Sequence, residues 1–498
     1  MREERAEPTE AAEAFLYMLN SPMARVVFRL VNIQHSRHVQ KFIEYALDDY
    51  IGVKRSKCIT CDWPAKMISL VLKKGEEAFG VKRGALEKII GDTHYRRGLI
   101  SVLEGIGRFG VKRPFTPASP FLVVWNYTNA CNLRCVHCYQ RADRPLPDEL
   151  STRERKALID ELSEAGVVSI AFSGGEPLMR RDFFEVAEYA ADRDLHVSLA
   201  TNGTMITEEV ARRLRESQVQ YVEVSLDGAS PQTHDTFRGT PRAFELAIRG
   251  IRNLVNNGIF TGIATTATRH TIHEIPKIIE LTKGLGVRRL LVFNFIPTGR
   301  GEEIIDMDLS PAEREDLLNN LYDELVRGEL EVLCTAPQYS RVCLQRSLRE
   351  GRDRITPTHF YAGEFHGRAR SLAEFIGGCG AGRLYCAIQP NGLVTPCVFM
   401  PIVVGDIRRE SFREIWLNSR VMRDLRDREK LKGRCGRCNF RYVCGGCRSR
   451  AYAYYGDYLA PDPGCIRELE EPSTSHSMKL GRALEKPEAL TAASPLMS

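Results

Sequence analysis

From residue 121 onward, the hydrophobic and polar positions of the chain switch repeatedly between two periods. Short apolar runs read as buried strands: FLVVWNYT (121–128), VVSIAF (167–172), HVSLAT (196–201), YVEVSL (221–226), FTGIATTA (260–267) and RLLVFNFI (289–296). Between them, helical spacing recurs near 151–165, 182–193, 207–217, 242–257 and 275–286. Six such repeats imply an α/β fold with a parallel sheet and right-handed crossovers, either barrel-like or doubly wound. Residues 1–118 read differently, as mostly helical. Phe15, Leu16, Met18 and Leu19, then Val26, Val27, Leu30 and Val31, recur at helix-like spacing, and a second amphipathic stretch runs near 41–50. A helix near 311–328 and the segment CTAPQYSRVC (334–343) lead to the last module. The polar, glycine-containing stretch 351–378 reads as a linker or substrate-side loop, and the tail beyond Pro472 as disordered.

Composition narrows this picture. A chain of 498 residues is too long for one ordinary core and implies two or three domains. No apolar run reaches the roughly 18 residues of a membrane span, and MREERAEPTE is no secretory signal. The expected location is therefore the cytoplasm, where fifteen cysteines point to metal ligation rather than disulfides. The net charge of +6 lies entirely in residues 1–118, which hold 20 Lys or Arg against 14 Asp or Glu. Its clusters are KRSK (54–57), KR (82–83), RR (96–97) and KR (112–113). They form either a solvated helical surface or an attraction to an anionic partner, a membrane surface included, which would make the protein peripheral there. No nucleic acid is expected, since basic and aromatic residues do not interleave.

The candidate chemistry lies in the cysteines. CNLRCVHC (131–138) places Cys131, Cys135 and Cys138 where three thiolates can converge on something small and thiophilic, an iron-sulfur cluster or zinc. A structural zinc site wants four protein ligands, and only His137 is at hand. A cluster with three ligands keeps one iron open for a substrate or cofactor. The chain ends in eight further cysteines: Cys379, Cys386, Cys397, Cys435, Cys438, Cys444, Cys447 and Cys465. Eight ligands suit two complete four-cysteine sites, iron-sulfur or zinc-ribbon, and Asn391-Gly392 reads as a hairpin turn presenting Cys397. Cys58 and Cys61 form a further pair, whose partners could be Cys334 and Cys343; the alternative is two buried thiol pairs.

The other motifs fall after successive strands, where parallel barrels carry their chemistry. SGGEP (173–177) follows the second strand, Thr201, Asn202 and Gly203 the third, Ser225 to Gly228 the fourth, and PTGRG (297–301) the sixth. Taken alone, Asn-Gly and Asp-Gly are ordinary turn formers. Gly174 and Gly175 would allow close approach of a ligand, and Glu176 can accept from an ammonium. Asp306 and Asp308 are candidate general bases or a helix-start signal.

The C-x3-C-x2-C loop together with these motifs resembles the radical S-adenosylmethionine (radical SAM) superfamily, with His137 where an aromatic residue is usual. The resemblance covers about residues 120–470 and implies a partial (β/α)6 barrel. It implies that Cys131, Cys135 and Cys138 hold a 4Fe-4S cluster whose open iron binds S-adenosylmethionine, cleaved on reduction to a 5'-deoxyadenosyl radical. It further implies cofactor contacts from Gly174, Gly175, Glu176 and Pro177, with Asn202, Ser225 and Asp227 near the ribose and carboxylate. Arg238 would neutralise that carboxylate or form a surface salt bridge. The last cysteines resemble the SPASM extension. That likeness implies two auxiliary 4Fe-4S clusters, one on Cys379, Cys386, Cys397 and Cys447 and one on Cys435, Cys438, Cys444 and Cys465. The Cys444–Cys447 spacing is one residue short of the usual pattern. Fully ligated auxiliary clusters would relay electrons in an oxidative reaction, with ferredoxin or flavodoxin as the low-potential donor. The expected organisation is a basic helical domain (1–118), the barrel (119–310), a bridge (311–378), the SPASM-type domain (379–470) and a tail (471–498). Substrates of such enzymes include peptides or proteins, which the sequence ranks first, then tetrapyrrole or metallocofactor precursors, then a membrane lipid. A non-catalytic iron-sulfur carrier or a zinc scaffold is the reading from another class.

Overall fold

The computed structural model describes residues 10–30, 41–53, 59–79, 84–352 and 373–467. Cys58, most of the 351–378 stretch and the tail lie outside them, as do the basic clusters at 54–57 and 82–83. The first six helices are α1 (Glu10–Asn20), α2 (Pro22–Leu30), α3 (Phe42–Tyr50), α4 (Ile59–Phe79), α5 (Ala85–Gly91) and α6 (Thr93–Phe109). Then strands and helices alternate: β1 (Leu122–Thr128), α7 (Thr152–Ala165), β2 (Ser169–Gly174), α8 (Phe183–Ala191), β3 (His196–Thr201), α9 (Glu208–Glu216) and β4 (Tyr221–Ser225). The series continues through α10 (Pro231–Arg238), α11 (Ala243–Asn256), β5 (Phe260–Ala267), α12 (Ile275–Gly284), β6 (Arg289–Asn294), α13 (Pro311–Arg327), β7 (Glu331–Cys334) and α14 (Gln338–Arg349). The last part holds α15 (Ala373–Ile376), β8 (Tyr385–Ile388), β9 (Leu393–Thr395), β10 (Gly405–Asp406), α16 (Phe412–Asn418), α17 (Arg420–Arg426), α18 (Gly433–Arg437) and α19 (Arg448–Tyr455).

Local chemistry sets the helix starts. Ser151 and Ser310 cap α7 and α13 in reciprocal boxes with Glu154 and Glu313, and Thr207 caps α9. Each cap is worth about 1 kcal/mol. On the strands, alternate residues such as Val123, Trp125, Ile170, Phe172, Val197 and Leu199 pack against Leu158, Ile159 and Leu162 of α7 and its neighbours. The intervening residues face the barrel interior.

The sheet order is β10-β9-β8-β1-β2-β3-β4-β5-β6-β7. All six expected strands are present. The barrel is nonetheless larger than six repeats, because β7 adds a seventh parallel strand and β8 pairs in parallel with the free edge of β1. Both additions are four residues long, too short to show a periodicity in the sequence. Since β7 and β10 end the order without pairing to each other, the barrel stays open. No helix among the described residues is long and apolar enough to cross a membrane.

The helical N-terminal part seals the far end of the barrel from the cysteine loop. Arg97 on α6 donates to the carbonyls of Ser163 (2.8 Å) and Val167 (3.2 Å), and His94 packs edge-on against His196 at the start of β3. Arg96 pairs with Asp48 at 2.7 Å, and Arg113 with Glu374 at 3.1 Å. Arg96, Arg97 and Arg113 therefore take part in the fold.

Candidate functional site

The cysteine loop follows β1 and is fastened on both flanks. Arg300 donates from its backbone to the Cys138 carbonyl (2.8 Å) and from its side chain to those of Cys135 (2.7 Å) and Ala142 (3.1 Å). Opposite, the Val136 N–H donates to the Phe237 carbonyl, and Gly239, at φ +65°, lies against Arg134, where a Cβ would strike backbone. Gly299 (φ +62°) lies just as closely against Tyr139. PTGRG thus clamps the loop. His137 stacks on Phe237 with centroids 4.0 Å apart. Burial drives its pKa down to about 3, so the ring stays neutral.

Burial pushes the Cys131 thiol up to about 12 and raises Cys135, which Arg238 opposes from 3.7 Å. The three thiols gather in one small cluster, with Cys135 buried and Cys131 and Cys138 partly so, a donor set that fits an iron-sulfur cluster. Backbone N–H groups donate to Sγ of Cys131, Cys397, Cys435, Cys438, Cys444 and Cys447. Such donors favour the thiolate over the thiol.

SGGEP answers a different need from ligand approach alone. Gly175 donates to the Thr128 carbonyl and Glu176 to the Ala130 carbonyl, both at 2.8 Å, so the motif is stitched to the backbone entering the cysteine loop. A Cβ on Gly174 would lie 2.7 Å from the Thr128 oxygen, and one on Gly175 would be 2.6 Å from the Ala130 carbonyl carbon. Glu176 is buried and accepts from the Thr201 hydroxyl (2.9 and 3.0 Å), the Asn202 N–H (2.9 Å) and the Leu178 N–H (3.3 Å); Pro177 opens a single 3-10 turn. Asn202 binds Asn132 of the cysteine loop and Thr204. Asp227 is fully buried, accepts from the Thr266 N–H at 2.6 Å and pairs with Arg238 at 2.5 Å. Arg238 is thus in a buried ion pair, not a surface bridge. Ser225 is only partly buried, on the interior side of β4. Asp308 pairs with Arg314 (2.7 Å) and accepts from Tyr454 (2.9 Å), which leaves no free base there, and Asp306 is exposed.

Seven of the eight C-terminal cysteines fall into two groups. Cys435, Cys438, Cys444 and Cys465 line one small pocket partly open to solvent. Cys379, Cys397 and Cys447 gather on the other side of the 444–447 turn, where their thiols act on one another and on the Tyr385 phenol. Cys386 is the exception. It is opposite Val123 in the β1–β8 register and is buried in the main core with Trp416 and Met422, whereas its neighbour Tyr385 faces Cys379 and Cys397. Consecutive strand residues point to opposite faces, so Cys386 is turned away from the site assigned to it. Cys334 and Cys343 are likewise buried in the main core. The side chain of Cys61 lies outside the described residues.

The interior between the two cysteine groups was not marked by any motif. Tyr139, next to Cys138, donates to Asn126 and meets Ser173, each at 3.1 Å. Gln389 accepts from Asn126 (3.2 Å) and Gln140 (3.1 Å). The Tyr139 ring meets Phe399 at 5.1 Å, and Phe399, two residues after Cys397, faces Phe293 at 6.4 Å. Adjacency to the cysteines was the signal available for Tyr139 and Phe399.

Family models match residues 125–282 as the radical SAM superfamily and residues 379–439 as an iron-sulfur cluster-binding domain of SPASM type. The chain is 42% identical to the AdoMet-dependent heme synthase of Methanosarcina barkeri, over 70% of this chain and 97% of that protein. It is 33% identical to the mycofactocin maturase MftC of Mycobacterium tuberculosis, over 75% and 92%. In fold it is similar to Streptococcus suis SuiB bound to S-adenosylmethionine (TM-score 0.61, 15% identity, 85% of this chain and 93% of that one). With the site geometry, these matches establish that the chain belongs to the radical SAM superfamily, as an S-adenosylmethionine-dependent iron-sulfur enzyme with a SPASM domain.

Proposed function

We propose that this enzyme oxidises the side chains of an iron porphyrin. The observation that carries the reading is the 42% identity to a heme synthase along 97% of that protein. It reverses the order read from the sequence, in which peptides came first.

Cys131, Cys135 and Cys138 would hold the cluster that binds S-adenosylmethionine, and the two C-terminal groups the auxiliary clusters. When bound, these groups supply a 5'-deoxyadenosyl radical at one end of the cavity and an electron acceptor at the other. Glu176, Asn202 and Asp227 hold the loop ends that shape the cofactor pocket, while Gly174, Gly175 and Pro177 form its wall and Ser225 faces it. Phe293 and Phe399 offer apolar faces to a flat macrocycle. Asn126, Gln140 and Gln389 offer amides that can orient its carboxylates. A propionate arm that gives up one hydrogen atom, then one electron and carbon dioxide, becomes a vinyl group with no added oxidant beyond the two acceptors. Ferredoxin or flavodoxin is the proposed donor.

The test is anaerobic incubation of the cluster-loaded enzyme with S-adenosylmethionine, a low-potential reductant and iron coproporphyrin. Deoxyadenosine should form together with porphyrin that has lost carbon dioxide and hydrogen. Unchanged porphyrin, with deoxyadenosine formation no faster than without it, would refute the reading. The 33% identity to a mycofactocin maturase keeps peptide modification as the second reading. Deoxyadenosine formation stimulated by a peptide and not by the porphyrin would favour it.

A further inference from the structure

The inward face of β4 carries a carboxyl group into the barrel. Val222 and Val224 are fully buried against the helices, whereas the inward Tyr221, Glu223 and Ser225 keep accessible surface. The inward residues of the two strands before it are small: Ala171 and Ser173 on β2, Ser198 and Ala200 on β3. Ala200 is opposite Glu223, and Ser173, one residue past the Phe172–Leu199 pair, is level with Ala200. The row through Glu223 therefore leads over small side chains to Ser173 and Asn126, where the Tyr139 hydroxyl is held. On the other side, Gly262 is opposite Glu223, and a Cβ there would collide with the Tyr221 hydroxyl. In that space the hydroxyl donates to Glu223 Oε2 at 3.2 Å. Arg289, next in the row, is paired with Glu331 at 2.7 Å. Among the described residues, Glu223 has no ion-pair partner and its Oε1 accepts no hydrogen bond. Tyr221 and Arg289 are the titratable and charged groups that act on it, and His196 at the base of β3 stays neutral. Burial outweighs both and pushes the carboxyl up to about 7. A neutral carboxyl that accepts on Oε2 carries its proton on Oε1, facing the lumen.

We propose that Glu223 is a substrate-binding residue, donating from Oε1 to a carboxylate of the substrate held in the lumen between it and Tyr139. The inference rests on the porphyrin reading, whose substrate carries propionate carboxylates, and the test separates the two. A carboxylic acid gives a carboxylate one strong, short O–H···O bond. Once Glu223 ionises, two like charges face each other in a water-poor lumen and the contact is lost. Arg289 cannot serve in its place, because Glu331 already holds it.

Iron coproporphyrin is titrated into the cluster-loaded enzyme without reductant or S-adenosylmethionine, and its Soret absorbance gives Kd across pH. With only the neutral acid competent to bind, Kd should weaken about tenfold between pH 6 and pH 8. Glu223→Gln keeps a donor that does not titrate. It should retain most of the pH 6 affinity and lose the tenfold dependence, any slope that remains being the porphyrin's own. Tyr221→Phe removes a hydrogen bond that favours the ionised form, so its weakening should set in at higher pH. Equal affinity of the parent at both pH values, a slope in Glu223→Gln as steep as the parent's, or an unmoved midpoint in Tyr221→Phe would each overturn the inference and leave the porphyrin reading standing. No binding by the parent at pH 6 would sink that reading and the inference with it.

Discussion

Gly175→Ala tests whether the second glycine of SGGEP is required by the protein's own backbone. Its conformation is ordinary, so an alanine is unopposed by φ; only space opposes it. The new methyl would be 2.6 Å from the Ala130 carbonyl carbon and nearer still to its oxygen, whereas ordinary contact begins at 3.4 Å. Relief requires more than about 0.8 Å of movement, the oxygen being the tighter contact, in backbone that leads directly into Cys131. That movement lengthens the two 2.8 Å hydrogen bonds from Gly175 to Thr128 and from Glu176 to Ala130. Each is worth about 1 kcal/mol, and overpacking adds about 1–3 kcal/mol. The expected loss is therefore about 3–5 kcal/mol locally. Displacement on this scale costs roughly 100-fold in a reaction that depends on alignment. Deoxyadenosine formation under a chemical reductant, measured beside iron content and the urea midpoint, reads all three effects. Gly284→Ala, in a helix with open space around it, is the control and should be neutral or slightly stabilising. If Gly175→Ala keeps the parental rate and midpoint, the backbone does not need the space and the argument from close approach fails.

Other perturbations probe the charges. Asp227→Asn strands the buried Arg238 guanidinium, so about 3–5 kcal/mol should be lost; a thermal midpoint equal to the parent's would refute the pair's role. His196, against His94 and near Arg289, has its pKa held down to about 4 by burial. Between pH 6.5 and 4 the unfolded chain binds the extra proton, so stability is complete above pH 6.5 and falls as pH drops, by up to about 3 kcal/mol. His196→Asn should flatten that slope in urea melts at pH 7 and pH 5, and an identical slope would count against it. Iron removal should expose the last module to trypsin. Arg428 and Arg448 are buried beside its cysteines, with Arg428 Nε and Nη1 lacking partners, so an emptied site leaves cations without anions. Cleavage after Arg428 or Arg448 at equal rates with and without iron would argue against this.

The six long strands and their helices were legible because each spans enough residues for period 2 or 3.6 to emerge, and the ends of all six strands fall within two residues of the expected ones. Strands β7 and β8 were not, at four residues each. Missing β8 had a chemical cost. Read as a string, Cys379, Cys386 and Cys397 are equivalent thiols. Only the knowledge that Tyr385 and Cys386 are consecutive strand residues separates a side chain facing the site from one facing the core. Asp227, Asn202 and Glu176 were picked out by residue type alone. What spacing does not encode is that each is also engaged by loop residues, a pairing set by tertiary contacts.

The same strand ties the two halves of the chemistry together. β1 delivers the cysteine loop from its carboxyl end, and β8, which carries Tyr385 and leads to Cys397, is its parallel neighbour in the sheet. Adjacent strands are spaced about 4.8 Å apart by their hydrogen bonds, so the first auxiliary site cannot drift from the radical site without breaking the sheet. A SPASM region joined by a flexible linker would leave that separation to chance, whereas pairing fixes it. The Tyr139–Phe399 contact then spans the remaining gap from the residue after Cys138 to the second residue after Cys397. On the proposed function, a substrate bound against that pair would lie between donor and acceptor. An oxidation that must release its electron before the substrate radical escapes would need that rigidity, which the continuous sheet can supply.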